Sequence, residues 1–257
     1  MRNKGFSGVL TTLLVLAASS AFAAEMPLKA PPPPPPPVPI WAGFYIGGNV
    51  GGGWSRQQFI DNFDAPFGAV DATPNSSGVV GGGQAGYNWQ INNWGLIGVE
   101  GGFTGTNAKS TFSCFPLLAP QTCTADTKWV ADIALRAGLI WGPALFYVKG
   151  GAAWEKSTWT DIALAGAPAM ALPGVLFTAN DTRDGWVVGA GFEYLFLPNW
   201  SARIEYDYYG FPNESIGFYG PPGDFFTEVI KENFQTVTVG INYHFNWLAA
   251  PPVQTRY

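Results

Sequence analysis

Few residues in this chain could take part in covalent chemistry or metal binding. The chain has two cysteines, Cys114 and Cys123, and a single histidine, His244. A hydrolase would need a nucleophile beside an oriented base, and no G-x-S-x-G motif is present to supply one. Two cysteines and one distant histidine do not predict a zinc site. The sequence therefore predicts no catalytic residue, metal or cofactor, and a lipid-modifying enzyme that uses His244 is the alternative.

Charged residues form a second chemical pattern, because they alternate with large apolar residues. In the segment WSARIEYDY, Arg203, Glu205 and Asp207 share one face, and Ile204 and Tyr206 share the other. Such period-two alternation is typical of a half-buried strand. Across all segments of this kind, the charged and histidine side chains on the polar faces are Glu100, Asp132, Arg136, Lys149, Glu193, Arg203, Glu205, Asp207 and His244.

Eight predicted strands of roughly ten residues position these side chains. They cover residues 43–54, 79–89, 94–104, 129–139, 144–154, 186–196, 200–208 and 233–245. Three gaps between them are short, and the other four (55–78, 105–127, 155–184 and 210–232) are long. This sorting of gaps predicts an all-β fold, an eight-stranded antiparallel up-and-down transmembrane β-barrel with four long extracellular loops and short periplasmic turns.

The tryptophans support a membrane location for this barrel. They cluster at the predicted strand ends, where an amphipathic ring would sit at a membrane interface. The predicted interface residues on the short-turn side are Trp41, Trp89, Trp94, Trp141 and Trp200, and those on the long-loop side are Trp54, Trp129, Trp154 and Trp186.

Composition excludes other classes of protein. The chain is 47% hydrophobic and only 12% charged, with a net charge of −5. An acidic chain without a basic run is not expected to bind nucleic acid. Beyond the N-terminus no apolar run is long enough for a membrane-spanning helix.

The polar faces of the strands are expected to fill the barrel. Eight strands leave an interior just wide enough for side chains. The five acids and three bases on these faces predict an internal network of ion pairs and hydrogen bonds. Inward glycines leave space, so a narrow pore for small polar solutes or cations is the alternative.

The segments outside the barrel have their own signatures. Arg2 and Lys4 precede an apolar stretch and an A-x-A site, which predicts a signal peptide over residues 1–23. A proline-rich periplasmic spacer, 24–40, follows, and its residues Pro31 to Pro39 are a candidate contact for the cell wall or a periplasmic partner. The barrel is expected over 41–245 and a C-terminal periplasmic tail over 246–257.

The first strand, WAGFYIGGNVGGGW, and the last, VTVGINYHF, resemble those of small outer-membrane β-barrel proteins of Gram-negative bacteria, the outer-membrane immunogenic or porin-family proteins. The resemblance covers Trp41 to Phe245. It implies a location in the cell outer membrane, contacts with lipid and lipopolysaccharide, and insertion by the barrel assembly machinery. Members usually end at the aromatic residue of the last strand, whereas this chain continues to Tyr257.

These observations predict a structural, surface-exposed protein of the cell envelope. The long loops are expected to be acidic and hydrated, with Asp126 and Glu232 among their charges. Because an exported protein meets an oxidising compartment, Cys114 and Cys123 are expected to form a disulfide within one loop. An adhesin is a further alternative, with loop aromatics as contacts: Phe63, Phe67, Trp159, Phe177, Phe218 and Phe225.

Overall fold

The computed structural model describes residues 41–60, 75–114, 121–163, 176–220 and 224–245. The predicted signal peptide, the proline-rich spacer and the C-terminal tail lie outside these residues, as do Phe63 and Phe67. They stay predictions. None of the described residues belongs to a helix long and apolar enough to cross a membrane.

The described residues form strands almost throughout. The strands are β1 (Gly43–Ile60), β2 (Asn75–Gln90), β3 (Gly95–Thr106), β4 (Lys109–Cys114), β5 (Gln121–Trp141), β6 (Ala144–Ala163), β7 (Leu176–Leu197), β8 (Trp200–Gly220) and β9 (Asp224–Phe245).

The strands form one closed antiparallel sheet. Each strand pairs with its neighbours around the barrel, and β1 pairs with both β2 and β9, so the sheet has no free edge. Strands β3 and β4 are separated only by Asn107 and Ala108, and both pair with β2 and β5. They therefore occupy one position in the wall, and the predicted eight-stranded barrel is confirmed.

Tight turns join the strands at one end, where the sequence predicts them. Between β2 and β3, the Asn92 side chain accepts hydrogen bonds from the backbone N–H groups of Trp94 (3.0 Å) and Gly95 (2.7 Å). Between β5 and β6, Gly142 adopts a φ of 58°, a conformation that glycine adopts without steric strain. These turns define the periplasmic end, and with an even number of strands β1 begins and β9 ends on the same side as the turns.

The strands extend further at the opposite end than the sequence predicts. Strand β8 continues from Tyr208 to Gly220, and β9 begins at Asp224, so most of the predicted loop 210–232 is a hairpin. Above the membrane both faces of a hairpin can meet water. The apolar alternation that marks a strand then disappears, although the backbone hydrogen bonds of the ladder continue.

The two faces of the wall differ sharply in chemistry. Leu135 is 71% exposed and Val148 is 59% exposed on the outer face, whereas the adjacent Arg136 and Lys149 are buried in the lumen. Outward apolar side chains meet hydrocarbon, where an arginine or lysine at mid-depth would cost about 2–4 kcal/mol. The alternation therefore places the charges in the lumen.

Candidate functional site

The lumen is filled by four successive layers of side chains. At the periplasmic end, an apolar layer closes the barrel above the tight turns; its buried members are Trp41, Leu96, Ile140, Leu145 and Tyr147. All five lie at or near strand ends beside these turns. Hydrophobic packing at this mouth separates the interior from the periplasm.

The second layer is a charged network centred on Glu100 of β3. The Oε2 atom of Glu100 lies 3.2 Å from Nη1 of Arg136 and 3.1 Å from Nη1 of Arg203. Tyr45 donates a hydrogen bond of 2.7 Å to the same oxygen. Arg136 also reaches Glu193, with Nη2 3.1 Å from Oε2. Strands from distant parts of the chain thus converge on one carboxylate.

Lys149 forms the second centre of this network. Its Nζ atom lies 3.0 Å from Glu205, 3.2 Å from Asp207, 3.5 Å from Glu100 and 3.7 Å from Asp132. Four buried carboxylates would repel one another without a cation between them. The ammonium group of Lys149 therefore holds this half of the layer together.

Aromatic side chains enclose the cations of the network. The guanidinium carbon of Arg136 lies 3.8 Å from the ring centroid of Tyr147 and 5.2 Å from that of Tyr45. Tyr147 also donates a hydrogen bond to Glu205, which in turn pairs with Arg203. A buried ion pair is stable only when its remaining polar atoms find partners. These phenols provide several of them.

His244 joins the network at its periplasmic edge. Its Nε2 atom lies 2.9 Å from Oγ of Ser201 and 3.2 Å from Oε1 of Glu193. Asn242 donates a hydrogen bond of 2.6 Å to that same Glu193 oxygen. In a serine hydrolase the serine and the carboxylate contact opposite nitrogens of the imidazole. Here the serine and the carboxylate both contact Nε2, so the histidine bonds within the network and is not arranged as a base.

The structure brings all nine predicted lumen residues into one network.

The third layer is apolar and lies on the extracellular side of the charges. Its buried side chains come from almost every wall position: Val80, Ala108, Val130, Ala134, Ala153, Val187, Tyr209, Phe211 and Phe234. The rings of Tyr209 and Phe234 lie 6.2 Å apart, centroid to centroid. This layer lies on the extracellular side of the charged network and below a second group of ion pairs.

A fourth layer, missed by the sequence analysis, contains a second group of ion pairs. Arg183 pairs with Glu232 and lies 3.6 Å from Glu155, and all three are buried. Ser55 and Gln57 each donate a hydrogen bond of 2.7 Å to Glu232. The prediction that Glu232 is a hydrated loop charge is therefore wrong. If the inward alternation of Glu193, Lys149 and His244 is continued along β7, β6 and β9, it places Arg183, Glu155 and Glu232 on the inner face as well.

Two predictions for tryptophan are also wrong. Trp41 is fully buried, and its ring meets that of His244 edge-on at 5.4 Å. Trp41 lies four residues before the inward Tyr45, so the alternation of β1 continues through Gly43, its first residue, and places Trp41 on the inner face. Trp159, predicted as a loop contact, is also buried, and the guanidinium carbon of Arg183 lies 5.2 Å from its ring centroid. Neither ring is available to the membrane or to an external partner.

The other predicted interface tryptophans lie on the outer face of the barrel. Trp141 is the most exposed, at 80%. They form a lower belt beside the tight turns (Trp89, Trp94, Trp141 and Trp200) and an upper belt on the extracellular side (Trp54, Trp129, Trp154 and Trp186).

The cysteines lie on adjacent strands of one hairpin. The backbone register pairs Cys114 of β4 with Gln121 and Cys123 of β5 with Phe112. The two cysteine side chains lie outside the described residues, as do those of Phe177, Phe218 and Phe225. The disulfide therefore stays a prediction without structural support.

Comparisons with known proteins agree with this architecture. Residues 10–245 match the family described as "Outer membrane protein beta-barrel domain". The chain is 33% identical over 251 residues to the 31 kDa outer-membrane immunogenic protein of Brucella melitensis, covering 93% of this chain and 99% of that protein. It is 24% identical over 242 residues to the 25 kDa outer-membrane immunogenic protein of Brucella abortus, covering 92% and 96%.

Among solved structures, the outer membrane protein OprG from Pseudomonas aeruginosa aligns with a TM-score of 0.46 at 12% identity, covering 81% of this chain and 99% of that one. The resemblance noted in the first and last strands is thus confirmed over nearly the whole chain by the family match and the Brucella relatives. The chain belongs to the outer-membrane β-barrel domain family, and its place is the outer membrane of a Gram-negative bacterium.

Proposed function

We propose that this protein is a closed, non-conducting barrel that anchors extracellular hairpins in the outer membrane. The observation that carries the proposal is the apolar third layer of the lumen, which separates the two groups of ion pairs. An ion that crossed this layer would lose its water among mostly apolar side chains, because the polar group that the layer contains, the Tyr209 hydroxyl, lies at its edge and donates a hydrogen bond to Asp132. Hydrophobic constrictions of this kind block ions by excluding water.

The charged network adds a second obstruction. Arg136, Lys149 and Arg203 are each held by at least two carboxylates, and all three are buried. Passage of a solute would break several of these contacts at once. Removing one partner of a buried pair typically costs about 3–5 kcal/mol. The network therefore supports a stable, filled lumen better than an open pore.

The long hairpins support a role in surface exposure. Strand β7 begins at Leu176 and reaches the upper tryptophan belt only at Trp186. At about 3.3 Å per residue, this part of the strand is roughly 30 Å long. Such hairpins present a large surface outside the cell. The name of the Brucella relatives, outer-membrane immunogenic protein, fits a surface that the immune system meets.

The lumen chemistry also favours a role without catalysis. Ser201 is fully buried beneath the apolar periplasmic layer, and its hydroxyl shares the Nε2 atom of His244 with Glu193. A lipid in the surrounding bilayer has no route to this serine. We therefore propose that His244 stabilises the network and does not activate a nucleophile.

Planar-bilayer recording tests the closed barrel. The wild-type protein, refolded and checked by heat-modifiable electrophoretic mobility, is expected to give no single channels. The double variant Phe211→Ala/Phe234→Ala should open the apolar layer and produce channels. The matched control is Phe146→Ala/Phe192→Ala, which removes two packed lipid-facing rings whose centroids lie 4.9 Å apart. Reproducible channels from the wild-type monomer would contradict the proposal.

A cation-selective pore is the second candidate, and the composition of the charged layer favours it. This layer holds five carboxylates (Glu100, Asp132, Glu193, Glu205 and Asp207) and three bases. If the lumen opens, this excess of acids should attract cations. Reversal potentials measured across a salt gradient should therefore show cation selectivity in the Phe211→Ala/Phe234→Ala variant.

A further inference from the structure

The exposed bases of the barrel are confined to one height. Among the residues that the structure describes, the bases that do not point into the lumen all lie on the extracellular side of the upper tryptophan belt. They are Arg56, Lys109, Lys128, Lys156 and Lys231. This height coincides with the head groups of the outer leaflet, because tryptophan marks the membrane interface.

Three of these bases form a patch on neighbouring strands. Lys109 of β4 and Lys128 of β5 share Asp126, with Nζ–Oδ2 distances of 3.2 and 2.5 Å. Lys156 of β6 lies opposite Trp129 in the register, next to Lys128. We call Lys109, Lys128 and Lys156 the lysine patch. Asp126 pairs with two of the three ammonium groups, and exposed Asp184, opposite Trp154 on β7, is a second carboxylate beside Lys156, so the patch keeps a surplus of one positive charge.

A local irregularity of β5 builds the patch. The register of β5 with β6 shifts between Thr127 and Trp129, so Lys128 is an extra residue in the ladder. A bulge of this kind redirects the side chain that it inserts. Here Thr127 points inward and is buried, whereas the Lys128 side chain is 46% exposed. Without the bulge, strict alternation would place Lys128 in the lumen.

An apolar groove of about 490 Å³ runs along the outer wall below the lysine patch. Small residues form its floor, among them Ala85, Gly101 and Ala131, and Phe103 and Trp154 line its upper end. Trp154 lies two positions before Lys156 on β6, so the groove ends directly beneath the patch. The groove is shallow and open towards the bilayer, and its apolar lining suits contact with a hydrocarbon chain.

We propose that the lysine patch and this groove together bind one molecule of lipopolysaccharide from the outer leaflet. The three ammonium groups would hold a phosphate of its acylated glucosamine base, and the groove would accept one of its acyl chains. Charge and shape are complementary here, since lipopolysaccharide places phosphates directly above several hydrocarbon chains. The proposal rests on the outer-membrane location and is independent of whether the lumen conducts.

The test measures binding of lipid A, the phosphorylated and acylated part of lipopolysaccharide, to refolded protein in phosphatidylcholine nanodiscs. The variant Lys109→Gln/Lys128→Gln/Lys156→Gln should bind lipid A about 100-fold more weakly, because each base near an anionic lipid surface contributes about fivefold. The matched control is Arg56→Gln/Lys231→Gln, which removes bases at the same height on β1 and β9, away from the groove. It should bind lipid A as the wild type does. Equal binding by the lysine-patch variant and the wild type would overturn the proposal.

Further arms separate phosphate, acyl chain and lipid type. Dephosphorylated lipid A should bind the wild type and the lysine-patch variant equally. Gly101→Leu should fill the groove and weaken binding of lipid A; a Cβ there would lie 3.7 Å from the Asp132 carbonyl oxygen, an ordinary contact. Phosphatidylglycerol should bind much more weakly than lipid A. Equal affinity for phosphatidylglycerol would overturn the assignment to lipopolysaccharide, whereas channel recordings on the same samples test the closed lumen separately.

Discussion

Glu100 and Arg136 meet at the centre of the barrel, with Oε2 and Nη1 3.2 Å apart and both side chains buried. Glu100 lies on β3 and Arg136 lies on the adjacent strand β5. Their other partners come from β1, β6, β7 and β8. Each of these side chains is therefore stabilised by the closure of the barrel as a whole. The network links strands that pair nowhere along their backbones.

Removing the Glu100 carboxylate should destabilise the barrel strongly. Glu100→Gln leaves Arg136, Arg203 and Lys149 with fewer anionic partners, and breaking one side of a buried network typically costs about 3–5 kcal/mol. Urea unfolding of the protein refolded into lipid vesicles measures this loss. The double variant Glu100→Gln/Arg136→Met removes charge from both sides and should lose less stability than the single variant. A loss in the double variant equal to the sum of the losses in Glu100→Gln and Arg136→Met would show that the two charges are not coupled.

Removing the central ammonium group should make stability depend on pH. Lys149→Met leaves Glu100, Asp132, Glu205 and Asp207 facing one another without their shared cation. Their repulsion is greatest when they are ionised and falls when they gain protons. The free energy of unfolding should therefore drop more at pH 8 than at pH 5, relative to wild type. Lys156→Met, which removes an exposed lysine, is the control and should show no such dependence.

Loss of the upper ion pairs should loosen the extracellular end and spare the membrane-spanning wall. Arg183→Met leaves Glu155 and Glu232 buried without their common partner. We expect faster hydrogen exchange in the hairpin parts of β6, β7 and β9, with unchanged exchange between the tryptophan belts. Arg56→Met removes an outward-facing arginine at a similar height as the control. Uniformly faster exchange along whole strands would indicate that the upper layer supports the entire barrel.

Close backbone approach makes one inward glycine indispensable. A Cβ atom on Gly151 would lie 2.0 Å from the carbonyl oxygen of Ile133, whereas one on Gly52, which faces outward, would meet no atom within 4 Å. Gly151→Ala should therefore reduce the yield of folded barrel, and Gly52→Ala should not. The shift in electrophoretic mobility between unheated and boiled samples measures this yield. Equal yields would mean that the wall can shift locally to accommodate a methyl group.

The alternation of side chains along each strand is predictable because it is a local property of the chain. Once charges are excluded from hydrocarbon, every second residue must point inward, and this rule alone assigns Glu205 and Asp207 to the lumen. The tight turns are equally local, since short gaps permit only direct hairpins. The strand extensions above the membrane are not predictable from apolar alternation, which ends where both faces meet water.

Which inward side chains meet depends on how the barrel closes. Gln84 donates to Asn242 at 2.6 Å across 158 residues of sequence, and only the register of β1 with both β2 and β9 brings them together. The apolar third layer and the pairing of Arg183 with Glu232 arise in the same way. Sequence alternation assigns each side chain to a face, whereas the stagger between strands, set by cooperative pairing around a closed sheet, assigns its height and its neighbours.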